Sequence, residues 1–381
     1  MKFAHIADTH IRNLRYHTEY RSVFKQLYES IKEENVDYII HCGDIAHTKT
    51  QISPEFVDMC SEFLSSLADI APTYVILGNH DGNLKNSGRL DAISPIVEAL
   101  EHPDLHLLKN SCEVYLRDGF ALNVLSVFDE ENWQDPTNYD NVNIALYHGS
   151  ISNCQTDSGW VMDSGENEIE IFEEFDYAFL GDIHKAQKLD RAGRVRYAGS
   201  TIQQNFGEEV DKGILVWDIQ DANNFTVKQV VFSNPKPFIT IELESGKLPE
   251  VDVPEGSRLR LASAENITLE SMKRAVDIAK HKYSPESLTF LNRNIHSRGD
   301  IEQVVDNIRH DDLRNIVVQR KLIKDFVEGY ELEEATLKKI LDLNDKYNRM
   351  AEENEEVQRN VNWKLQSLTF TFYLTTEKVI S

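Results

Sequence analysis

Cysteine is scarce in this 381-residue chain. Cys42, Cys60, Cys112 and Cys154 are scattered, with no Cys-x-x-Cys pair. That argues against a zinc ribbon or a disulfide framework and fits a reducing, cytoplasmic setting. Long apolar runs are missing too: none approaches the roughly 20 residues that cross a bilayer. Residues 1–7 read as a buried strand rather than a signal peptide, so no membrane association is expected. Basic residues are in deficit, 40 Lys and Arg against 64 Asp and Glu, for a net charge of −24. This balance speaks against nucleic-acid binding spread over the whole surface and leaves that role only to a local basic cluster. There is no internal repeat and no low-complexity segment. Hydrophobic residues make up 41% of the chain, enough for a substantial core.

What is present is a series of short apolar runs, each stopping at metal-ligating residue types. Residues 2–7 run into Asp8-Thr9-His10, and Val36 to Cys42 into Gly43-Asp44. Thr73 to Leu77 leads to Gly78-Asn79-His80-Asp81, Val142 to Tyr147 to His148-Gly149, and Tyr177 to Leu180 to Gly181-Asp182-Ile183-His184. Helical patterns separate the first three runs. Val23, Phe24, Leu27, Tyr28 and Ile31 share one face, and a second helix runs from about Ser53 to Ala68 with Ser53-Pro54 at its start. Strand–helix–strand alternation predicts an α/β fold with mainly parallel central strands, whose carboxyl ends share the edge where ligands gather. Glu113 to Leu116 and Ala121 to Val127 predict a hairpin about Arg117-Asp118-Gly119. Arg194 to Ala198 and Gly213 to Asp218 read as further strands. The resulting expectation is a two-sheet sandwich with helices outside, over residues 1–235.

At Pro235-Lys236-Pro237 the character changes. Strands at Phe238 to Leu243, Arg258 to Ala262 and Leu288 to Asn292, with a helix from Thr268 to His281, predict a small α+β domain over 236–298. Residues 299–361 read as helical, with Leu337, Ile340, Leu341 and Tyr347 on one stripe. Residues 362–381 form a strand-like tail.

Carboxylates, imidazoles and one amide make a mixed nitrogen and oxygen donor set suited to Mn²⁺, Fe²⁺ or Zn²⁺. Two such ions about 3.5–4 Å apart share a bridging carboxylate, lower a water's pKa and stabilise charge on an attacked phosphorus. His80 is placed to act as a general acid or to stabilise phosphate charge, with Asp81 orienting its ring.

Taken in order, Asp8-x-His10, Gly43-Asp44, Gly78-Asn79-His80-Asp81, His148-Gly149 and Gly181-Asp182-Ile183-His184 resemble the calcineurin-like metallophosphoesterase superfamily. His47, the run Leu180 to Gln187, and Arg196-Tyr197-Ala198-Gly199-Ser200 narrow the resemblance to SbcD-type DNA double-strand-break repair nucleases, as does the appended domain. The resemblance implies that Asp8, His10 and His184 hold a first metal, Asp44 bridges, and Asn79, His148 and Asp182 hold a second. It implies that His80 is the catalytic histidine and that His47 helps to place the scissile end. It also implies Mn²⁺ as the leading cofactor, with Mg²⁺, Fe²⁺ or Zn²⁺ as alternatives. The family most often has His where this chain has Asp182, so metal preference does not carry over. DNA, an SbcC-type coiled-coil ATPase and a second copy of the chain are the partners the resemblance implies. The 236–298 domain would cap DNA and the 299–361 region would dock on the ATPase. Phe56, Met59, Cys60 and Phe63 offer a dimer face, in a pattern that a core face shares.

Each feature has a plainer reading. A lone Asp-x-His or Gly-Asp is commonly a turn or a helix cap. His5, His41, His102 and His106 match no motif position and read as packing or surface residues. Lys185, Lys188, Arg191, Arg194 and Arg196 are either a solvated hairpin or a phosphate-backbone contact, which Arg12 and Arg15 would extend. Two other functions stay open: a phosphatase or small-molecule phosphodiesterase, and a DNA-end tether without catalysis.

Overall fold

The computed structural model describes residues 1–50, 52–86, 88–265, 267–292, 338–339 and 341–345. In chain order its strands are β1 (Lys2–Ile6), β2 (Tyr38–Cys42), β3 (Thr73–Ile76), β4 (Leu105–Leu107), β5 (Cys112–Tyr115), β6 (Phe120–Leu125), β7 (Val142–His148) and β8 (Tyr177–Gly181). They continue with β9 (Gln187–Lys188), β10 (Val195–Tyr197), β11 (Lys212–Ile219), β12 (Phe225–Phe232), β13 (Phe238–Glu242), β14 (Arg258–Ser263) and β15 (Ser287–Asn292). The helices are α1 (His17–Glu34), α2 (Pro54–Ala68), α3 (Ser94–Leu100) and α4 (Leu269–Tyr283).

Two six-stranded mixed sheets form the sandwich expected from the sequence. One has the order β12-β11-β1-β2-β3-β4 and the other β5-β6-β7-β8-β10-β9. Strands β1 to β4 run parallel, as do β6, β7, β8 and β10, while β11, β12, β5 and β9 pair antiparallel at the margins. Alternation along each strand splits its residues between two faces. In β6, Phe120, Leu122 and Val124 join Phe3, Ile40, Phe179 and Trp217 in the layer between the sheets, whereas Leu125 packs on the outer face. Burying a side chain as large as Phe179 contributes about 1.5–3 kcal/mol. His5 belongs to the inner layer, stacked on Phe179 at 4.7 Å with its Nε2 3.1 Å from the Leu180 carbonyl. It is a packing residue, as is His41, whose Nε2 lies 2.8 Å from the Thr9 hydroxyl.

α1 and α2 cover the outer face of the first sheet. Ser53 caps α2 by accepting from the Phe56 amide at 3.2 Å, with Pro54 in the first turn, an arrangement worth about 1 kcal/mol. α1 ends at Asn35 in the left-handed conformation. Phe56, Met59, Cys60 and Phe63 are all buried in this layer. They are core residues, which corrects their reading as a dimer face. All four cysteines are free thiols.

The strands and helix expected between residues 236 and 298 occur within a few residues of their anticipated bounds, with β13, β14 and β15 forming a third sheet in that order. The chain divides into two compact units, one made of Met1–Ile241, Glu250–Arg260 and Asp277–Leu288 and the other including Glu242–Pro249 and the described part of Leu261–Val276. The expected helical region 299–361 lies outside the described residues except for short helical pieces at 338–339 and 341–345. The tail 362–381 lies wholly outside them. Among the described residues, no helix is long and apolar enough to cross a membrane.

Candidate metal centre

Parallel strands place their carboxyl ends on one edge, and both sheets present that edge to the same place. Asp8 and His10 follow β1, Asp44 follows β2, and Asn79 and His80 follow β3. His148 closes β7, and Asp182 and His184 follow β8. The chain must turn sharply there. Asp8, His10, Asp44 and Asp182 take positive φ of 51°, 46°, 59° and 97°, a region that costs a residue with a side chain about 1–3 kcal/mol. Gly78 and Gly181 permit the closest approaches. A Cβ on Gly78 would sit 2.2 Å from Asp44 Oδ1, and one on Gly181 would sit 2.1 Å from the Cys42 carbonyl oxygen.

Three groups of ligand atoms lie within 4.8 Å of one another: Asp8, His10 and His184; His10, Asp44 and His80; and Asp8, Asp44 and His148. Asp44 stands between the imidazoles, with Oδ2 3.5 Å from His10 Nε2 and Oδ1 3.4 Å from His148 Nε2. Asp182 joins from the side. Its Oδ1 is 3.4 Å from the Asn79 amide nitrogen and 3.9 Å from His148 Nε2. The seven side chains named as ligands are therefore neighbours, including the Asp at 182.

Hydrogen bonds set which ring nitrogens carry protons. His148 Nδ1 donates to the Cys42 carbonyl at 2.6 Å and its Nε2 faces the Asp44 and Asp182 carboxylates. Burial disfavours charge on this ring, yet Asp44, Asp8 and Asp182 outweigh it and raise the imidazole's pKa well above its ordinary value. That Nε2 and Asn79 Oδ1 are buried with no hydrogen-bond partner. Carboxylates and an unpaired amide oxygen converging on one imidazole call for positive charge, which a divalent ion would supply in place of a ring proton, so the donor set fits divalent ions. His10 Nε2 and His184 Nε2 face each other at 2.9 Å, and His184 Nδ1 donates to Glu208 Oε1 at 2.9 Å. Glu208 is a site neighbour that sequence reasoning missed, because its pair with Glu209 in a loop reads as solvated.

Electrostatics agree with a cation site. Burial drives the Asp8 carboxyl up to about 7 against the pull of His148 and His184, and burial also raises Asp182. Burial opposes the charge on Asp44, yet His148 and His10 outweigh it and hold that carboxyl low. Burial pushes His10 well down, and burial with the nearby Arg12 lowers His47 to about 4.

His80 is exposed at the mouth, its ring 4.8 Å from that of His10. Its Nδ1 donates to the His47 carbonyl at 2.7 Å, and its backbone N–H to Asp44 Oδ1 at 2.8 Å. Asp81 does not orient this ring. Its buried carboxylate accepts from the amides of Asp44 and Ala46 at 2.8 Å and of Gly78 at 2.9 Å, bracing the loops after β2 and β3. The expected ring contact is thus corrected: His47 supplies it, through its backbone oxygen.

The basic run lies on the β9–β10 hairpin and its flanks. Lys185 reaches Gln155 at 3.0 Å, Arg194 reaches Asn223 at 2.9 Å, and Arg196 donates to the Gly193 carbonyl at 2.7 Å while lying over Trp217. Lys188 and Arg191 are exposed. Arg12 bonds the Gln204 carbonyl, and Arg15 stacks on Tyr16.

Residues 1–189 match the family model described as calcineurin-like phosphoesterase. The chain carries a calcineurin-like metallophosphoesterase domain. Over 96% of its length it is 32% identical to "Uncharacterized protein R555" of Acanthamoeba polyphaga mimivirus, of which it spans 28%. It is 21% identical over 81% of its length to the "DNA double-strand break repair protein Mre11" of Methanosarcina acetivorans, covering 50% of that protein. To the protein of the same name from Methanosarcina mazei it is 20% identical over 65% of its length, covering 41%. The chain therefore spans half or less of each of these relatives. The domain is of a phosphoester-hydrolysing, divalent-metal family, and the clustered donors accord with it.

Proposed function

We propose that this protein is a metal-dependent DNA nuclease that hydrolyses phosphodiester bonds at or near DNA ends. The observation that carries the reading is the convergence of seven nitrogen and oxygen donors, with His148 Nε2 and Asn79 Oδ1 buried and without hydrogen-bond partners. Distant likeness to proteins named for DNA double-strand-break repair supports DNA as the substrate. In this reading Asp8, His10 and His184 would hold one ion and Asn79, His148 and Asp182 a second, with Asp44 available to both. Divalent ions held there, Mn²⁺ foremost, supply Lewis acidity at a phosphoryl oxygen and lower the pKa of a water. The protein's own groups do the positioning. The His47 carbonyl fixes the His80 ring by accepting from Nδ1–H, so Nε2 donates to a phosphoryl or leaving-group oxygen only when the ring carries a second proton as imidazolium. Asp81 holds the loops that carry Asp44 and Asn79 at their spacing. An SbcC-type ATPase, a second copy of the chain, a DNA-capping role for 236–298 and ATPase docking by 299–361 belong to the same proposal.

The test is cleavage of linear double-stranded and single-stranded DNA across Mn²⁺, Mg²⁺ and Zn²⁺. Wild type cuts with at least one ion, and His80→Ala cuts roughly 10²–10⁴-fold more slowly. No cleavage by wild type with any of them would sink the reading.

A second reading, hydrolysis of a small phosphodiester, draws support from the hairpin, where Lys185, Arg194 and Arg196 are engaged within the protein. Faster turnover of an aryl phosphodiester than of DNA would favour it.

A further inference from the structure

Behind His184 lies a buried charge cluster that none of the catalytic roles above uses. The side chains of Glu208, Lys212 and Asp157 are 6%, 5% and 5% exposed. Lys212 Nζ donates to Asp157 Oδ2 at 2.8 Å and to the His184 carbonyl at 2.7 Å, and lies 3.8 Å from Glu208 Oε2. Glu208 accepts through Oε1 from His184 Nδ1 at 2.9 Å and from the Asn205 amide at 2.8 Å. Through Oε2 it accepts from the Gln204 backbone N–H at 2.8 Å. The Ser200 N–H also bonds the His184 carbonyl, at 3.0 Å. Ring and backbone of His184 are thus clamped by one segment, 200–212.

Two consequences follow from elementary chemistry. A carboxylate can only accept, so Glu208 holds the Nδ1–H tautomer and directs the Nε2 lone pair toward His10 and Asp8. Two carboxylates against one ammonium leave the buried cluster one negative charge in excess, which a divalent cation at His184 Nε2 offsets through the ring.

We infer that Glu208, buttressed by Lys212 and Asp157, is a positioning residue that sets the affinity of the Asp8–His10–His184 site for its metal ion. The inference rests on the two-ion reading proposed above. It differs from it by assigning Glu208 an effect on one site only.

The experiment titrates Mn²⁺ into the full chain by calorimetry, for wild type, Glu208→Gln and Glu208→Ala. Wild type is expected to bind two ions. Glu208→Ala should weaken one of them by roughly 10–100-fold and leave the other unchanged. Glu208→Gln should fall between, because its amide oxygen still accepts from Nδ1–H but carries no charge. The Mn²⁺ concentration for half-maximal cleavage should rise in parallel, with kcat at saturating Mn²⁺ preserved. Two Mn²⁺ constants equal to wild type in a folded Glu208→Ala would overturn the inference. So would equal weakening of both sites together with a lowered melting temperature in both variants, the mark of a mere strut. If Glu208→Ala does not fold, Glu208→Gln decides by the same criteria. A wild type that binds no Mn²⁺ would overturn the metal-centre reading itself.

Discussion

At the strand ends, chemically unlike groups from five separated segments converge; in the hairpin 185–197, five like groups disperse. Asp8, Asp44, Asn79, His148 and His184 come together because parallel strands of two stacked sheets end at a common edge. Lys185, Arg194 and Arg196 turn to Gln155, Asn223 and Trp217, leaving Lys188 and Arg191 at the surface. The difference teaches where spacing in sequence has predictive force. Topology assembles the ends of parallel strands, whereas neighbours along a short hairpin alternate faces and meet whatever packs nearby.

Substitutions can break this contrast, and they are ordered by expected effect. Asp44→Ala removes the carboxylate shared between the imidazoles. It should abolish two-ion binding and reduce cleavage by more than the roughly 10²–10⁴-fold typical of one acid–base group. His80→Ala should fall within that range in kcat while Mn²⁺ binding, read by calorimetry, stays as in wild type. A parallel loss of Mn²⁺ would make His80 a ligand instead. Asp81→Ala leaves three buried amides without an acceptor and should lower unfolding free energy by about 3 kcal/mol, measured by urea denaturation. Stability equal to wild type would remove its role as a loop brace.

The smallest effects belong to the hairpin. Lys188→Ala with Arg191→Ala should weaken DNA binding less than about tenfold and flatten the salt dependence by about two contacts' worth. Arg194→Ala and Arg196→Ala should leave that slope unchanged. The reverse pattern would show that the packed arginines, not the exposed residues, meet DNA.

The sandwich and the strand-end motifs were legible because apolar runs and their terminating residues are local signals. Other features were not. β12 escaped notice because its outward residues, Thr226, Lys228 and Gln229, interrupt the apolar pattern at a sheet edge. Asp81 stands beside His80 in sequence, yet successive residues in a tight turn point apart, so its carboxylate serves the backbone of another loop. Glu208 lies 24 residues from His184, and only the fold reveals that it holds the ring. The left-handed backbone at Asp8, His10, Asp44 and Asp182 has no sequence signature, since none of them is glycine.

The central claim is that the strand ends build a two-ion centre with distinct halves. Mn²⁺ titration of wild type, His148→Ala and His184→Ala tests it most directly. The account predicts two ions for wild type and loss of a different one in each variant. No saturable Mn²⁺ binding by wild type, or two ions retained in both variants, would contradict it.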